Sequence, residues 1–528
     1  MSTQPTEQPA ALAGIREWVG LSVLALPTLL VSIDVSVIIL ALPHIGVNLG
    51  ASSTELLWIM DVYGFLLAGF MITMGTLGDR IGRRKLLLIG GAGFALASVM
   101  AAFSPSPLLL IVSRGLLGIA GATLAPSMLA LISNMFRNEA QRGFAISVWL
   151  TCFMGGMVLG PLVGGVMLEH FWWGSVFLLG VPVMVLLLAT APFLVPEYKA
   201  PTGHSVDLIS VGLSLATILP VIYGLKEIAR DGLQPLYLVS IAAGIGFGIG
   251  FAARQRRLAD PLLDLALFRN PVFSAAVGGM FLITVTGAMM LYFNQYLQLV
   301  HGLSPLVTGL WTIPGVLGSV AGFLLAPIVA RRVRPAPLIA AGLVLSAAAV
   351  AVVLTLDETS GLVLLAVAFA AWNLGCAPMV TLSSGIVLSA VPPEKAGSGA
   401  AVQETFSELG FSLGIAALGS IGTAFYRLGV AGAVPASLPA NLEAQAHETL
   451  AGAIEAAKAL PAEAGAALLR AAREAYLDGM HVVALVTCGV LLAVAVLALT
   501  IFRKLPPLGA GQNDTAEPEV LGGEAAAP

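Results

Sequence analysis

Charge is what this chain has least of. Only 10% of its 528 residues are charged, against roughly a quarter in a soluble globular chain. An ordinary water-soluble domain is excluded. The formal net charge of -4 says little about partners when most of the mass sits in lipid, and no nucleic-acid partner is expected. Cysteine is also scarce. Cys152, Cys376 and Cys488 all fall inside apolar runs, so they spell neither a disulfide framework nor a metal site. His44, His170, His204, His301, His447 and His481 are scattered near the ends of apolar runs or in loops. No H-E-x-x-H pair and no nucleotide-binding loop occurs, and the G-x-S-x-G match at Gly410–Gly414 falls inside an apolar run rather than at a strand-to-helix elbow. A membrane-embedded enzyme, an ATP-driven pump, a metal and a cofactor are therefore not expected. Nor is a signal peptide, because the first apolar run is too long and no small-residue cleavage site follows it.

What is present in quantity is apolar sequence. Mean hydropathy is +0.95 and 58% of residues are hydrophobic. Runs of about 20 residues, the length that crosses a bilayer as a helix, recur along the chain. They lie at about 18–42, 55–77, 85–103, 107–134, 143–168, 174–195, 207–226, 235–254, 272–299, 305–330, 336–356, 361–386, 398–425 and 480–502. The expectation is an all-α integral membrane protein of fourteen transmembrane helices. The ends, residues 1–17 and 505–528, read as disordered cytoplasmic tails.

The basic residues orient the spans. Arg80, Arg83, Arg84 and Lys85 follow span two, Arg137 and Arg142 follow span four, and Arg254, Arg256, Arg257 and Arg269 follow span eight. Arg331, Arg332 and Arg334 follow span ten, and Arg503 and Lys504 follow span fourteen. The alternate loops "HIGVNLGASST", "FSPSP" and "HGLSP" carry no Lys or Arg. Positive charge collects on the cytoplasmic side, so both termini are expected there. Lys226 and Arg230 fall outside as minor exceptions. One outer loop, 427–479, is long. It contains "NLEAQAHETLAGAIEAAKAL" and "AEAGAALLRAAREAYLDGM", which read as two short amphipathic helices beyond the membrane. They cap or gate the protein, or simply link two spans along the surface.

Five ionisable residues lie well inside spans: Asp34, Asp61, Arg114, Glu404 and Glu408. Each costs about 2.5–3.5 kcal/mol or more at a helix centre if charged and unpaired. Such residues face the bundle interior or a water-filled cavity. At 1.5 Å per residue, Asp34 sits roughly 14 Å below the outer end of span one and Asp61 roughly 9–12 Å below that of span two. Glu404 and Glu408 share a face of span thirteen, roughly 9 and 15 Å from its cytoplasmic end. Four acids against one Arg favour cations and protons over anions. A carboxylate that is either protonated or paired with a cation is the minimal device for exchanging the two. Asp34 is read as such a site, or else as a structural partner of Arg114. Asp61 is a second such site or a fixed helix-capping group. Glu404 and Glu408 are further sites or fix span thirteen by hydrogen bonds. Arg114 is structural or takes part in coupling. Trp58, Tyr63, Met289, Tyr292, Phe293, Trp311 and Trp372 are candidates for an aromatic and methionine-lined cavity for lipophilic cations, each cation–π contact being worth about 0.5–2 kcal/mol. Interfacial anchoring is the other role open to the tryptophans and tyrosines.

Three motifs remain. The loop after span two reads "GTLGDRIGRRKLL", with Gly75, Asp79, Arg80, Gly82, Arg83 and Arg84; its charges can latch neighbouring helices, a conformational rather than substrate-binding role. Span four reads "LLLIVSRGLLGIAGATLAPS", with Arg114, Gly118 and Gly121 on one face. Span five reads "GGMVLGPLVGGVMLEH". Gly156, Gly160 and Gly164 form a small-residue stripe, flanked by Gly165, and Pro161 bends the helix.

Together these stretches resemble a known family. "GTLGDRIGRRKLL" looks like the signature loop of the major facilitator superfamily, the Arg114 stretch resembles its fourth-helix motif, and "GGMVLGPLVGG" its antiporter motif. "IDVSVIILALP" and "LLWIMDVYGFLLAG" resemble the first two helices of the fourteen-helix drug:proton antiporters. The match is nearest to pumps for quaternary ammonium compounds, dyes and biguanide antiseptics. Ser36 and Ile39 stand where that family usually has Thr and Asn, and Ser319 where relatives handling divalent cations carry an acid. The resemblance implies six-helix bundles at 18–195 and 272–502, two extra helices at 207–254, and a monomer in a bacterial cell membrane. It also implies proton-driven export of lipophilic cations by alternating access, or of an endogenous metabolite or self-made antibiotic.

Overall fold

The computed structural model describes residues 12–199, 207–258, 261, 263–357, 361–391, 396–435 and 438–507. Most of both expected tails lies outside these residues. The first six spans are α1 (Ile15–Leu49), α2 (Ser53–Ile81), α3 (Arg83–Ala102), α4 (Pro107–Met135), α5 (Glu139–His170) and α6 (Ser175–Leu194). A hairpin follows, α7 (Leu208–Asp231) and α8 (Pro235–Gln255). Then come α9 (Pro271–Val300), α10 (Pro305–Ala330), α11 (Pro335–Thr355), α12 (Leu362–Ser389) and α13 (Ala396–Val430). Two short helices, α14 (Ala440–Glu448) and α15 (Leu450–Lys458), lead into α16 (Ala462–Ile501). Thirteen of the helices among the described residues are long and apolar enough to cross a membrane, and the bent α5 makes fourteen.

The helices begin where the sequence supplies caps. Ser52, Ser106, Asn138, Asp207, Asn270 and Ser304 each accept a hydrogen bond from a backbone N–H in the first turn of α2, α4, α5, α7, α9 and α10. Buried in lipid or protein, an uncapped helix end would leave orphan donors. Gly50 takes φ 60° to end α1, a conformation that costs a residue with a Cβ. In α5, Pro161 has no N–H to give Met157, and the helix bends by 40° at that point. α9 tightens to a 3-10 turn at Thr286–Ala288 and widens to a π turn at Tyr296–Val300.

Packing repeats with an offset. In the first six spans α1 lies on α5, α2 on α4, and α3 on α4 and α6. In the later set α9 lies on α13, α10 on α12, and α11 on α12 and α16. The main pairs joining the sets are α2 with α13 and α5 with α10, and α1 also touches α9 and α10. α7 packs on α8 and also on both α2 and α13. This is the all-α arrangement of two six-helix bundles with an inserted hairpin.

The long loop 427–479 differs from its expectation at two points. The first amphipathic stretch forms two helices, α14 and α15, rather than one, and the second is the first half of α16, a single 40-residue helix. Pro461 starts that helix and an Ala-rich stretch carries it onward, so nothing stops it before the membrane. Cys152, Cys376 and Cys488 are free and half-buried.

Candidate transport site

Call the side on which α1 begins and α16 ends the near side, and the opposite side the far side. The small-residue stripe of α5 sets the first contacts. Gly156 meets the Leu29 carbonyl and Ser32, Gly160 meets Ser36, and Gly164 meets Val37, so any Cβ at these positions would drive α5 off α1. Gly165 turns the other way and abuts the backbone of Leu306 at the far-side start of α10; Gly309 on α10 abuts the Pro161 carbonyl. Gly419 of α13 lies on Leu57 of α2, and Gly64 on Ser412. The two bundles thus meet along the far halves of their helices. Glu448 adds a polar latch there. Its Oε2 accepts hydrogen bonds from Ser53 N–H at 3.1 Å and Ser53 Oγ at 2.6 Å, and its Oε1 lies 3.3 Å from Arg427. A cavity of about 80 Å³ beneath it is lined by Tyr292, Tyr426 and Tyr476 among others.

Arg114 is 1% exposed and brings the first acidic site together. Its Nη1 donates to Asp34 Oδ2 at 2.7 Å and its Nε to the Ile59 carbonyl at 3.1 Å. Its guanidinium stacks 4.6 Å from the Tyr63 ring centre. The Asp34–Arg114 pairing considered from the sequence is therefore formed, with Asp34 11% exposed. Tyr63 is buried, and its hydroxyl has no hydrogen-bond partner among the described residues. Glu408 is half-buried, and Glu404, one turn nearer the near side, is exposed. Asp34 thus lies on the first bundle and the two glutamates on the second.

Asp61 stands apart from this group. Among the described residues it forms no bond that caps a helix end; its Oδ2 lies 2.7 Å from Lys226 Nζ, and both side chains are 0% exposed. Lys226 is thereby a correction to the sequence reading. It is not in an outer loop but inside α7, which runs on to Asp231. The reading by composition stopped α7 at the charge, whereas the charge has a partner and the helix continues. Its ammonium also sits 4.2 Å from the Trp58 ring centre.

The seven candidate cavity residues do not form one wall. Trp58 faces Lys226 and Tyr63 faces Arg114. The Tyr292 hydroxyl donates to the Leu418 carbonyl at 3.1 Å. Phe293 stacks on Phe369 with centres 4.0 Å apart, and with Met289 and Trp372 it lines a small apolar pocket of about 20 Å³. Trp311 is half-buried against the core. Ser319 donates to Asn373 Oδ1 at 3.0 Å.

The signature loop is a latch on the near side. Arg83 pairs with Asp79 at 2.7 Å and its Nη1 donates to the Pro126 carbonyl of α4 at 3.3 Å. Gly82 takes φ 115°, where a Cβ would also strike Glu197. Arg84 donates to the Pro192 and Val195 carbonyls, each at 3.0 Å, and Glu197 accepts from the N–H groups of Arg84 and Lys85. Glu197 escaped the sequence reading; an acid just after span six, facing a basic loop, was the available signal. Gly75 lies beside Pro126, and Arg80 is exposed.

Comparison with known proteins decides the family. The Major Facilitator Superfamily profile matches residues 24–415. The chain belongs to the Major Facilitator Superfamily. It is 42% identical to the "Multidrug efflux pump LfrA" of Mycolicibacterium smegmatis, over 93% of this chain and 97% of that one. It is 34% identical to the "Methyl viologen resistance protein SmvA" of Salmonella typhimurium, over 90% and 96%. The "Tetracenomycin C resistance and export protein" of Streptomyces glaucescens matches at 30% identity, over 96% and 97%. Among solved structures, a bacterial homologue of the human lysosomal transporter Spinster, inward-facing and unoccupied, superposes with a TM-score of 0.62 at 16% identity, covering 93% of this chain and 99% of that one. That likeness carries the fold.

Proposed function

We propose that this protein exports lipophilic organic cations, such as quaternary ammonium compounds and dyes, in exchange for protons. The carrying observation is the buried Asp34–Arg114 pair, with the Arg114 guanidinium stacked on Tyr63. A carboxylate bound to a cation in one state and to a proton in another needs a buried site, a competing internal cation and a water route. Burial of Arg114 supplies the first two, and exposed Glu404 marks the route on the near side. The near side is the cytoplasm, because the basic loops lie there, and the membrane is a bacterial cell membrane. The bundles 18–195 and 272–502 rock about the site, and Asp79, Arg83 and Arg84 with Glu197 brace the first bundle as a unit. The protein works as a monomer.

In this reading the site binds a cation from the cytoplasmic side while Arg114 holds Asp34. The cation competes for the acids, the near side closes, and the Glu448 latch opens. A proton entering from outside neutralises a carboxylate and releases the cation. The test is ethidium transport in vesicles. An uncoupler is expected to abolish export, while ATP depletion with the gradient held leaves it intact. Export that survives full collapse of the proton gradient overturns antiport. Export of a self-made antibiotic is the second reading, favoured by the tetracenomycin relative; dyes that are not transported while such a compound is would select it.

A further inference from the structure

The hairpin inserted between the bundles has no part in the scheme so far. α8 turns Leu236, Leu238, Val239, Ile245, Phe247 and Ile249 outward. α7 lies over the seam where α2 meets α13, the pair that closes the far side. Its two contacts differ in kind. Toward α13 the contact runs through an apolar cluster shared with α2: Ile222 of α7, Ala416 of α13 and Phe65 of α2 are fully buried together, edged by Trp58, Leu219, Leu409 and Leu413. Toward α2 it holds a charge pair, Lys226 with Asp61 at 2.7 Å, roofed by Trp58. Further toward the near side, Gly69 of α2 makes room for Leu215 of α7.

Lipid tails are as apolar as leucine, so parting an apolar face from α13 within a membrane costs little. Parting Lys226 from Asp61 strands two charges where neither has water. The pair adds little to overall stability, since a buried ion pair roughly offsets its own desolvation and Asp61 Oδ1 has no hydrogen-bond partner among the described residues. What it resists is separation. The charged groups facing this point are Asp61 from α2 and Lys226 and Glu227 from α7, while α13 offers it Leu409, Leu413 and Ala416.

We infer that Lys226 is the standing counter-ion of Asp61 and fixes the hairpin to the first bundle. The moving bodies are then α1–α8 against the rest, and the seam that opens runs between α7 and α13. Asp61 is on this account a positioning residue and carries no proton. The inference rests on the alternating-access reading proposed above; wild-type protein without gradient-driven transport would defeat that reading before any variant is compared.

The test uses full-length protein in proteoliposomes with ethidium and an imposed pH gradient. Asp61→Asn and Lys226→Met are each expected to lower transport about tenfold or more, because each strands a charge. The double variant, and the exchange Asp61→Lys with Lys226→Asp, are expected to recover transport to within about threefold of wild type with unchanged dependence on the gradient. A well-folded double variant that moves ethidium only downhill would make Asp61 a proton carrier and overturn the inference. Crosslinks decide the motion independently of folding energetics. With Cys152, Cys376 and Cys488 replaced by Ser, the pair Gly69→Cys and Leu215→Cys is expected to transport normally when oxidised. The pair Ile222→Cys and Ala416→Cys is expected to stop until reduced. The opposite pattern would place the hairpin with the second bundle.

Discussion

Asp34 and Arg114 make the sharpest case at the scale of single residues. Asp34→Asn keeps size but removes both charge and titration, and it leaves Arg114 as an uncompensated buried cation. If Asp34 carries coupling, the Asn variant is expected to lose gradient-driven ethidium export, and Asp34→Glu to keep part of it. If it only partners Arg114, the Asn variant is expected to fall in extracted yield and melting temperature, and adding Arg114→Gln is expected to restore function. Measuring yield, thermal stability and efflux on all three variants separates the two. The sequence made this site legible because a charge in an apolar run is rare enough to need a reason. It did not reveal Lys226 by the same logic. A lysine near the end of an apolar run is normally a snorkelling or loop residue, and only the neighbouring helix shows that it has turned inward to Asp61. The aromatic candidates failed to converge for a related reason: a ring within a span says nothing about which way it faces until its neighbours are known.

Helix-scale features were read more securely, because small residues at regular spacing have few alternatives. The stripe Gly156, Gly160 and Gly164 was legible as a tight interface, and the structure supplies its partner, α1. Gly164→Leu is expected to overpack Val37 at a cost of about 1–3 kcal/mol, seen as a lower melting temperature and lost transport in protein that still inserts. Wild-type transport would show that the interface has room. Gly165→Leu tests a different contact, since Gly165 abuts Leu306 on the other bundle. It is expected to spare the α1–α5 packing and instead disfavour the far-side-closed state. At the near-side base of the hairpin, Asp207 caps α7 and pairs with Arg254 at 2.9 Å. Partial burial alone would raise the Asp207 carboxyl, but hydrogen bonds from Arg254 and Ser210 more than offset that and hold it below the usual carboxylate range. A lowered folded value means its contribution is present above the usual range and is lost as the pH falls through the lowered value. The melting-temperature gap between wild type and Asp207→Asn is therefore expected to be constant near neutrality and to close below about pH 4.

For the whole molecule, span count and family could be read from the sequence because hydropathy and three ordered motifs constrain them. How the long loop engages could not, because it depends on which bundle its acids reach. Glu448 belongs to the loop attached to the second bundle, yet its carboxylate sits on Ser53 in the first turn of α2, where the helix dipole also favours it. Opening the far side must break these bonds. Hydrogen bonds to a charged group are worth about 1.5–3 kcal/mol each, so removing even one shifts a two-state equilibrium by more than about tenfold. Glu448→Ala is therefore expected to populate the far-side-open state. Thr423, which lines the cavity beneath the latch, reports on it as Thr423→Cys in the cysteine-free protein. With a membrane-impermeant maleimide added from outside intact cells, labelling is expected to rise several-fold when Glu448→Ala is added. Ethidium export should fall at the same time, because a pump that rests open to the outside presents its site to the cytoplasm less often. Unchanged labelling with normal export would mean that the loop merely rests on α2, and that closure is carried by the glycine contacts of α5 with α10 and α2 with α13 alone.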